Sequence, residues 1–169
     1  APRPPLDAAE SGPAPTAPLE TADHRGEVHP NLAPDGTGGA IVAVEYRGRY
    51  YNWILDQHVT GAGDVPVSWL GHPIGGLYQP VKIAPVVCGD GLGGAFLAWT
   101  PAAIQHVTAA GTFTPGWPDT GIRLAGVNDG FWVGICPDDS GGAYVAWQET
   151  RALGYGQTFA QRITASGAR

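Results

Sequence analysis

The sequence predicts an all-β chain of about three four-stranded units of propeller-blade size. At this length the ring would be incomplete, or completed by oligomerisation. Three observations predict it. A seven-residue phrase occurs three times, as QHVTGAG (57–63), QHVTAAG (105–111) and QRITASG (161–167). A turn-plus-strand phrase also occurs three times, as DGTGGAIVAV (35–44), DGLGGAFLAW (90–99) and DDSGGAYVAW (138–147). The intervals are fixed: residues 57–99 align with 105–147 without a gap, with 15 identities in 43 positions.

The elements follow in chain order. Residues 1–27 hold six of the 16 prolines and few large apolar residues, so they read as a linker or disordered tail. Strand one of each unit is carried by HPNLA, APVVC or WVGIC. An Asp-Gly-type turn follows, of the sort that closes hairpins, and leads into strand two, GGAIVAV or its copies. Strand three ends in the seven-residue phrase, whose A-x-G is the exit turn. Strand four runs from Trp69 to Ile74 and from Trp117 to Ile122. The runs are short, β-branched and aromatic, with glycine at each joint, which excludes long helices. The units span about 28–80, 81–129 and 130–169, the last without its outer strand. Period-2 alternation puts Leu55, Gln57 and Val59 on one face of strand three, with Asp56 and His58 on the other. The recurring glutamine then reads as a buried amide bonded to backbone.

Composition narrows the function classes. Net charge is −6 with a single lysine, Lys82, so nucleic acid is not an expected partner. No apolar run is long enough to cross a bilayer as a helix. The glycine pairs precede strands rather than helices, so they make no phosphate loop. The histidines and two cysteines have no metal spacing, and no cofactor or metal is expected. Cys88 and Cys136 occupy equivalent places 48 residues apart, where the first unit has Ala33; they read as small apolar residues rather than a disulfide. Asp35, Asp90 and Asp138 read as turn formers; calcium would need several acids per turn.

The pattern D-G-x-G-G-A-x-V-A-W, then Q-R-[VI]-x-A-x-G, then W-x-x-x-G, resembles the repeats of secreted bacterial β-propeller proteins of sialidase-like architecture. The resemblance covers residues 28–169 and is closest in SGGAYVAWQETR and FAQRITASG. The first unit departs from it, with Val44 where Trp99 and Trp147 stand. The resemblance implies a noncatalytic repeat module in an extracellular or envelope setting, and no catalytic residue.

All length variation between units falls in the connection from strand two to strand three, where a scaffold carries binding residues. In the first unit it reads EYRGRYYNW and supplies Tyr46, Arg47, Arg49, Tyr50, Tyr51 and Trp53. In the third it reads QETRALGYGQ and supplies Arg151 and Tyr155. Arginine beside aromatic rings suits a protein or glycan partner. The non-recurring Trp53 and Trp132 are ligand candidates, whereas Trp69, Trp99, Trp117 and Trp147 recur and read as packing. Three functions compete: a recognition or display module, a sialidase-like glycoside hydrolase recruiting Glu45, Glu149, Tyr46 and Arg47, and a structural self-associating repeat. An open stack would be completed by a second copy, as a homodimer, or by blades of a longer chain.

Overall fold

The apolar runs with glycine at each end become strands because they are too short and too β-branched to hold a helix. In the computed structural model, which describes residues 26–48, 52–69, 72–74, 83–124, 131–150 and 155–169, they form three antiparallel sheets. Sheet one contains β1 (Glu27–Pro34), β2 (Ala40–Arg47), β3 (Asn52–Val59) and β4 (His72–Ile74), in that order. Sheet two repeats the meander with β5 (Ile83–Gly89), β6 (Ala95–Thr100), β7 (Ala103–Val107) and β8 (Ile122–Arg123). Sheet three holds β9 (Phe131–Pro137), β10 (Ala143–Thr150) and β11 (Gly156–Ile163) among the described residues. The expected strand four is shorter than its sequence phrase. Trp69 ends a 3-10 turn over Val67–Trp69, and Trp117 lies in a turn, so both tryptophans precede the strand they were expected to occupy.

Each turn between strands one and two is organised by its aspartate. Asp90 Oδ1 accepts the backbone N–H of Leu92 at 2.7 Å and of Gly94 at 2.9 Å, and its Oδ2 lies 3.0 Å from Nε2 of His106 on β7. Asp35 does the same with Thr37, Gly39 and His58, the last at 2.6 Å. Asp138 does so with Ser140, Gly142 and Arg162, again at 2.6 Å. The second residue of the recurring Q-[HR]-[VI]-T phrase is therefore the cationic or imidazole partner of the turn aspartate. The second glycine of each pair is required by the same closure. A Cβ on Gly142 would lie 2.5 Å from the Ile163 carbonyl and 2.7 Å from Asp138 Oδ2, and one on Gly39 or Gly94 meets the matching atoms of its own unit.

The sheets stack face to face. β5 packs against β1 and β2, and β9 packs against β5 and β6. Sheet two is apolar on both faces, so β6 is buried almost throughout. Leu97, Trp99, Ala103 and Val107 meet Ile41, Ala43, Ile54 and Trp69 of sheet one, while Phe96, Ala98 and Ile104 meet Val145, Trp147 and Ile163 of sheet three. A hydrogen bond reinforces each interface. Trp69 Nε1 donates to the Ala109 carbonyl at 3.1 Å, and Trp117 Nε1 donates to the Ala165 carbonyl at 2.9 Å. Both acceptors sit in the exit turn of the following unit's seven-residue phrase. The recurring glutamine is buried at Gln57 and Gln105, and Gln105 Nε2 donates to the Pro118 carbonyl at 2.9 Å. Cys88 is buried, Cys136 is exposed, and both are free thiols.

One buried group breaks the pattern. Asp56 stands on β3 where the sister units carry Ile104 and Ala160, and its Oδ1 has no hydrogen-bond partner. Burial pushes this carboxyl up to about 7. The turn aspartates move the other way. Burial opposes ionisation of Asp90, but the hydrogen bonds from His106, Leu92 and Gly94 outweigh it and hold the carboxyl below the usual range.

Two predictions follow from these opposite environments. Asp90→Ala should cost about 2–4 kcal/mol in chemical denaturation, because two turn N–H groups and a buried imidazole lose their acceptor. The exposed Leu92→Ala in the same turn should cost less than about 0.5 kcal/mol. For Asp56 the sign reverses. Its folded value near 7 exceeds the ordinary 3.8, so its burial costs stability increasingly as pH rises from about 4 to about 7, and the loss is complete above that. Asp56→Ile should therefore stabilise by about 2–4 kcal/mol near pH 8 and by much less near pH 4, read from urea midpoints at the two values.

Candidate binding cleft at the loop end

The turn aspartates mark one end of the stack; the connections between strands two and three mark the other. At that loop end all three first strands are bulged. Their pairing registers shift between Val28 and Asn31 in β1, between Ile83 and Val86 in β5, and opposite Ala146 and Gln148 in β9. Two bulge residues, His29 at φ 53° and Ala84 at φ 51°, adopt the left-handed region although neither is glycine. Such strain persists only where surrounding contacts fix it.

Glu45 provides those contacts. It faces sheet two from β2 with its side chain fully buried. Its Oε2 accepts from His29 Nδ1 at 2.9 Å and from the Ala84 backbone N–H at 3.2 Å, so one oxygen holds both bulges. Its Oε1 accepts from Arg47 Nε at 2.8 Å and Asn52 Nδ2 at 3.3 Å. Burial works against this charge, yet the donors from Arg47, His29 and Ala84 prevail and keep the carboxyl below its ordinary value. A carboxylate with four donors is a structural fastener; it has neither the raised pKa nor the free lone pair of a general acid–base group.

The bulges open a cleft of about 620 Å³ where β1, β5 and β9 begin, a volume typical of small-molecule sites. Pro30, Ala84, Pro85, Val86 and Val133 form its walls, and Phe131 leaves 42% of its surface exposed there. His29, Asn31 and Thr100 supply the polar lining. A second cleft of about 690 Å³ lies at the turn end, among Cys88, Asp90, Leu92 and the Asp138–Gly142 turn.

The expected loop residues divide. Arg47 is half exposed and bound to Glu45. Tyr46 is buried and its ring meets Trp53 of β3 in a tilted contact, with ring centres 5.9 Å apart at 37°, so this pair packs against Val42, Val44 and Leu55 rather than standing free. Tyr155 is 77% exposed at the start of β11. Arg49, Tyr50, Tyr51 and Arg151 lie outside the described residues, and of Trp132 only the backbone is described. Glu45 and Glu149 are not equivalent. In the aligned units Glu45 matches Gln148, so the two acids point to opposite faces of their sheets, and Glu149 accepts from Trp147 Nε1 at 2.7 Å. Sequence reading missed His29, Ala84 and Phe131, the residues that shape the cleft. The signal available was the recurrence of X-Pro at His29-Pro30 and Ala84-Pro85. No group of three or more metal-ligating side chains occurs among the described residues.

The chain matches no family model, no curated protein and no solved structure.

Glu45→Ala should lower stability by about 1–3 kcal/mol, because donors on two sheets lose their shared, fully buried acceptor together. Arg47→Ala, at a half-exposed partner, should cost at most about 1 kcal/mol. Paired denaturant titrations compare the two.

Proposed function

We propose that the chain is a noncatalytic module of β-propeller type that recognises a protein or glycan partner through its loop end, in an extracellular or envelope setting. One observation carries the reading. Three equivalent meander sheets stack in one direction, with their first strands side by side and every variable connection at one end. That arrangement suits propeller blades whose inner strands surround an axis. The setting rests on the resemblance of the repeat phrases to secreted sialidase-like propeller proteins. The loop residues Arg47 and Tyr155, with Arg49, Tyr50, Tyr51 and Arg151 from the same connections, are the proposed contact residues; Tyr46 and Trp53 serve the packing of sheet one.

The state of the acids favours recognition over hydrolysis. Glycoside cleavage by paired carboxyl groups needs one acid that keeps its proton and another that can reach the sugar. Glu45 is saturated by donors, Glu149 is buried beside Trp147, and Tyr46 is packed under Trp53. Turnover of a fluorogenic sialoside above the buffer rate would refute the noncatalytic reading.

The blade reading also explains an asymmetry of burial. Cys88, Phe96 and Ile104 lie under sheet three, yet their counterparts Cys136, Tyr144 and Ala160 are exposed on the outer face of sheet three. Gly111 and Gly167 are crowded by the preceding unit, whereas nothing among the described residues approaches within 4 Å of a Cβ on Gly63. The outer face of sheet three is therefore suited to a further unit of the same repeat. In the aligned units the position after Arg169 matches Thr114. Extending the chain with a copy of its own residues 114–163 should bury Cys136, slow its reaction with a thiol reagent at least about tenfold and raise the melting temperature. Unchanged Cys136 reactivity in a folded, extended protein would sink the blade reading.

A further inference from the structure

The loop-end cleft has a chemistry of its own that the loop residues do not share. Among the described residues, no carboxylate, lysine or arginine lines it. Glu45, the nearest carboxylate, is buried behind His29 and Ala84 with four donors. Arg47 is turned toward that same carboxylate. What lines the cleft instead is an apolar wall of Pro30, Pro85, Val86 and Val133, a half-exposed Phe131 ring, and three polar side chains.

The polar groups are held with defined roles. A carboxylate only accepts, so His29 directs its Nδ1–H at Glu45, and Nε2 is the ring nitrogen left for a ligand. Asn31 Oδ1 accepts the Val87 backbone N–H at 3.0 Å, which fixes the amide orientation and leaves its N–H2 group as donor. Thr100 adds a hydroxyl that both donates and accepts. The cleft thus combines an apolar surface with an imidazole nitrogen, an amide donor and a hydroxyl. A pyranose ring matches this set. It has one apolar C–H face, and its edge hydroxyls each donate and accept. A charged ligand would leave its ion unpaired against proline and valine.

We infer that this cleft binds a neutral carbohydrate ring, stacked on Phe131 and hydrogen-bonded through His29 Nε2, Asn31 Nδ2 and Thr100 Oγ1. The inference rests on the recognition reading above and names the ligand class within it. The strained backbone at His29 and Ala84 has a use in this account. It lies at the cleft itself, where His29 and Ala84 line the space together with Asn31, Pro85 and Thr100. Glu45 holds that geometry before ligand arrives, so little ordering is left for binding to impose.

The test is a nuclear magnetic resonance titration of the whole chain with the methyl glycosides of glucose, galactose, mannose and N-acetylglucosamine. Methyl glucuronide serves as the charged comparator, and a proline-rich decapeptide as the peptide comparator. At least one neutral glycoside should shift the backbone amides of residues 29, 31, 84, 86 and 131–133 saturably, with a Kd on the order of 1 mM, as a single-ring ligand allows. Phe131→Ala should weaken binding about fivefold or more by removing the stacking surface, and Thr100→Val about threefold, with melting temperatures near that of the parent. Three results would overturn the inference: no localised shift from any neutral glycoside at about 50 mM, equal affinity in Phe131→Ala, or tighter binding of the glucuronide or the peptide. None of these bears on the sialoside or Cys136 experiments, so the cleft can fail while the recognition module stands.

Discussion

A carboxylate that needs donors for both oxygens organises each repeat. Asp35, Asp90 and Asp138 each give one oxygen to two N–H groups of their own turn and the other to a side chain on strand three. The hairpin of strands one and two is thereby tied to the third strand by a group that belongs to none of the strand ladders. Much else follows from this closure. It fixes where strand three begins to run out into its A-x-G turn, and it demands the glycine that lets the carbonyl of Val59, Val107 or Ile163 approach. It also holds His58 against Trp69 and His106 against Phe96 and Trp117. The rings that the aspartates position are the rings on which the next sheet rests.

The ties between sheets are of a different kind. They are mostly apolar burial, with one tryptophan N–H reaching a backbone carbonyl of the following exit turn. Between sheets one and two a buried carboxylate adds a further tie: Glu45 reaches Ala84 across the interface. That interface also contains Asp56, a carboxyl in the place of an isoleucine. Sheet one therefore carries both a strong polar tie and a polar liability, and it departs furthest from the repeat consensus.

Much of this was legible in the sequence. The all-β class, the strand order within each unit and the location of length variation could be read from three recurring phrases, because a repeat prints each constraint several times. The self-capping turn aspartates and the buried glutamine were legible for the same reason. The Asp–His and Asp–Arg ties were not, although both partners recur, since pattern alone does not show that residue 58 faces residue 35. The cleft was hidden more deeply. It depends on left-handed backbone at His29 and Ala84, and neither residue type advertises that conformation. It also depends on Phe131, which has no aromatic counterpart at Ile83 or Val28. The loop reading weighted arginine and tyrosine, but the packing of buried Tyr46 against Trp53 shows that some of those aromatics serve the fold.

The tryptophan tie has a polarity. Trp69 of the first unit serves the second, and Trp117 of the second serves the third; no described bond of this type runs backwards. Sheet two therefore both receives and gives, sheet one gives and sheet three receives, and the giving and receiving groups are not self-complementary. Neighbours can be added by repeating the same step but not by a two-fold axis through one interface, which excludes an isologous contact built from this tie. Cohesion then passes only between nearest neighbours, as in a one-dimensional array. Sheet two, gripped on both sides, should be the last to exchange its amide hydrogens, and the terminal sheets should open first.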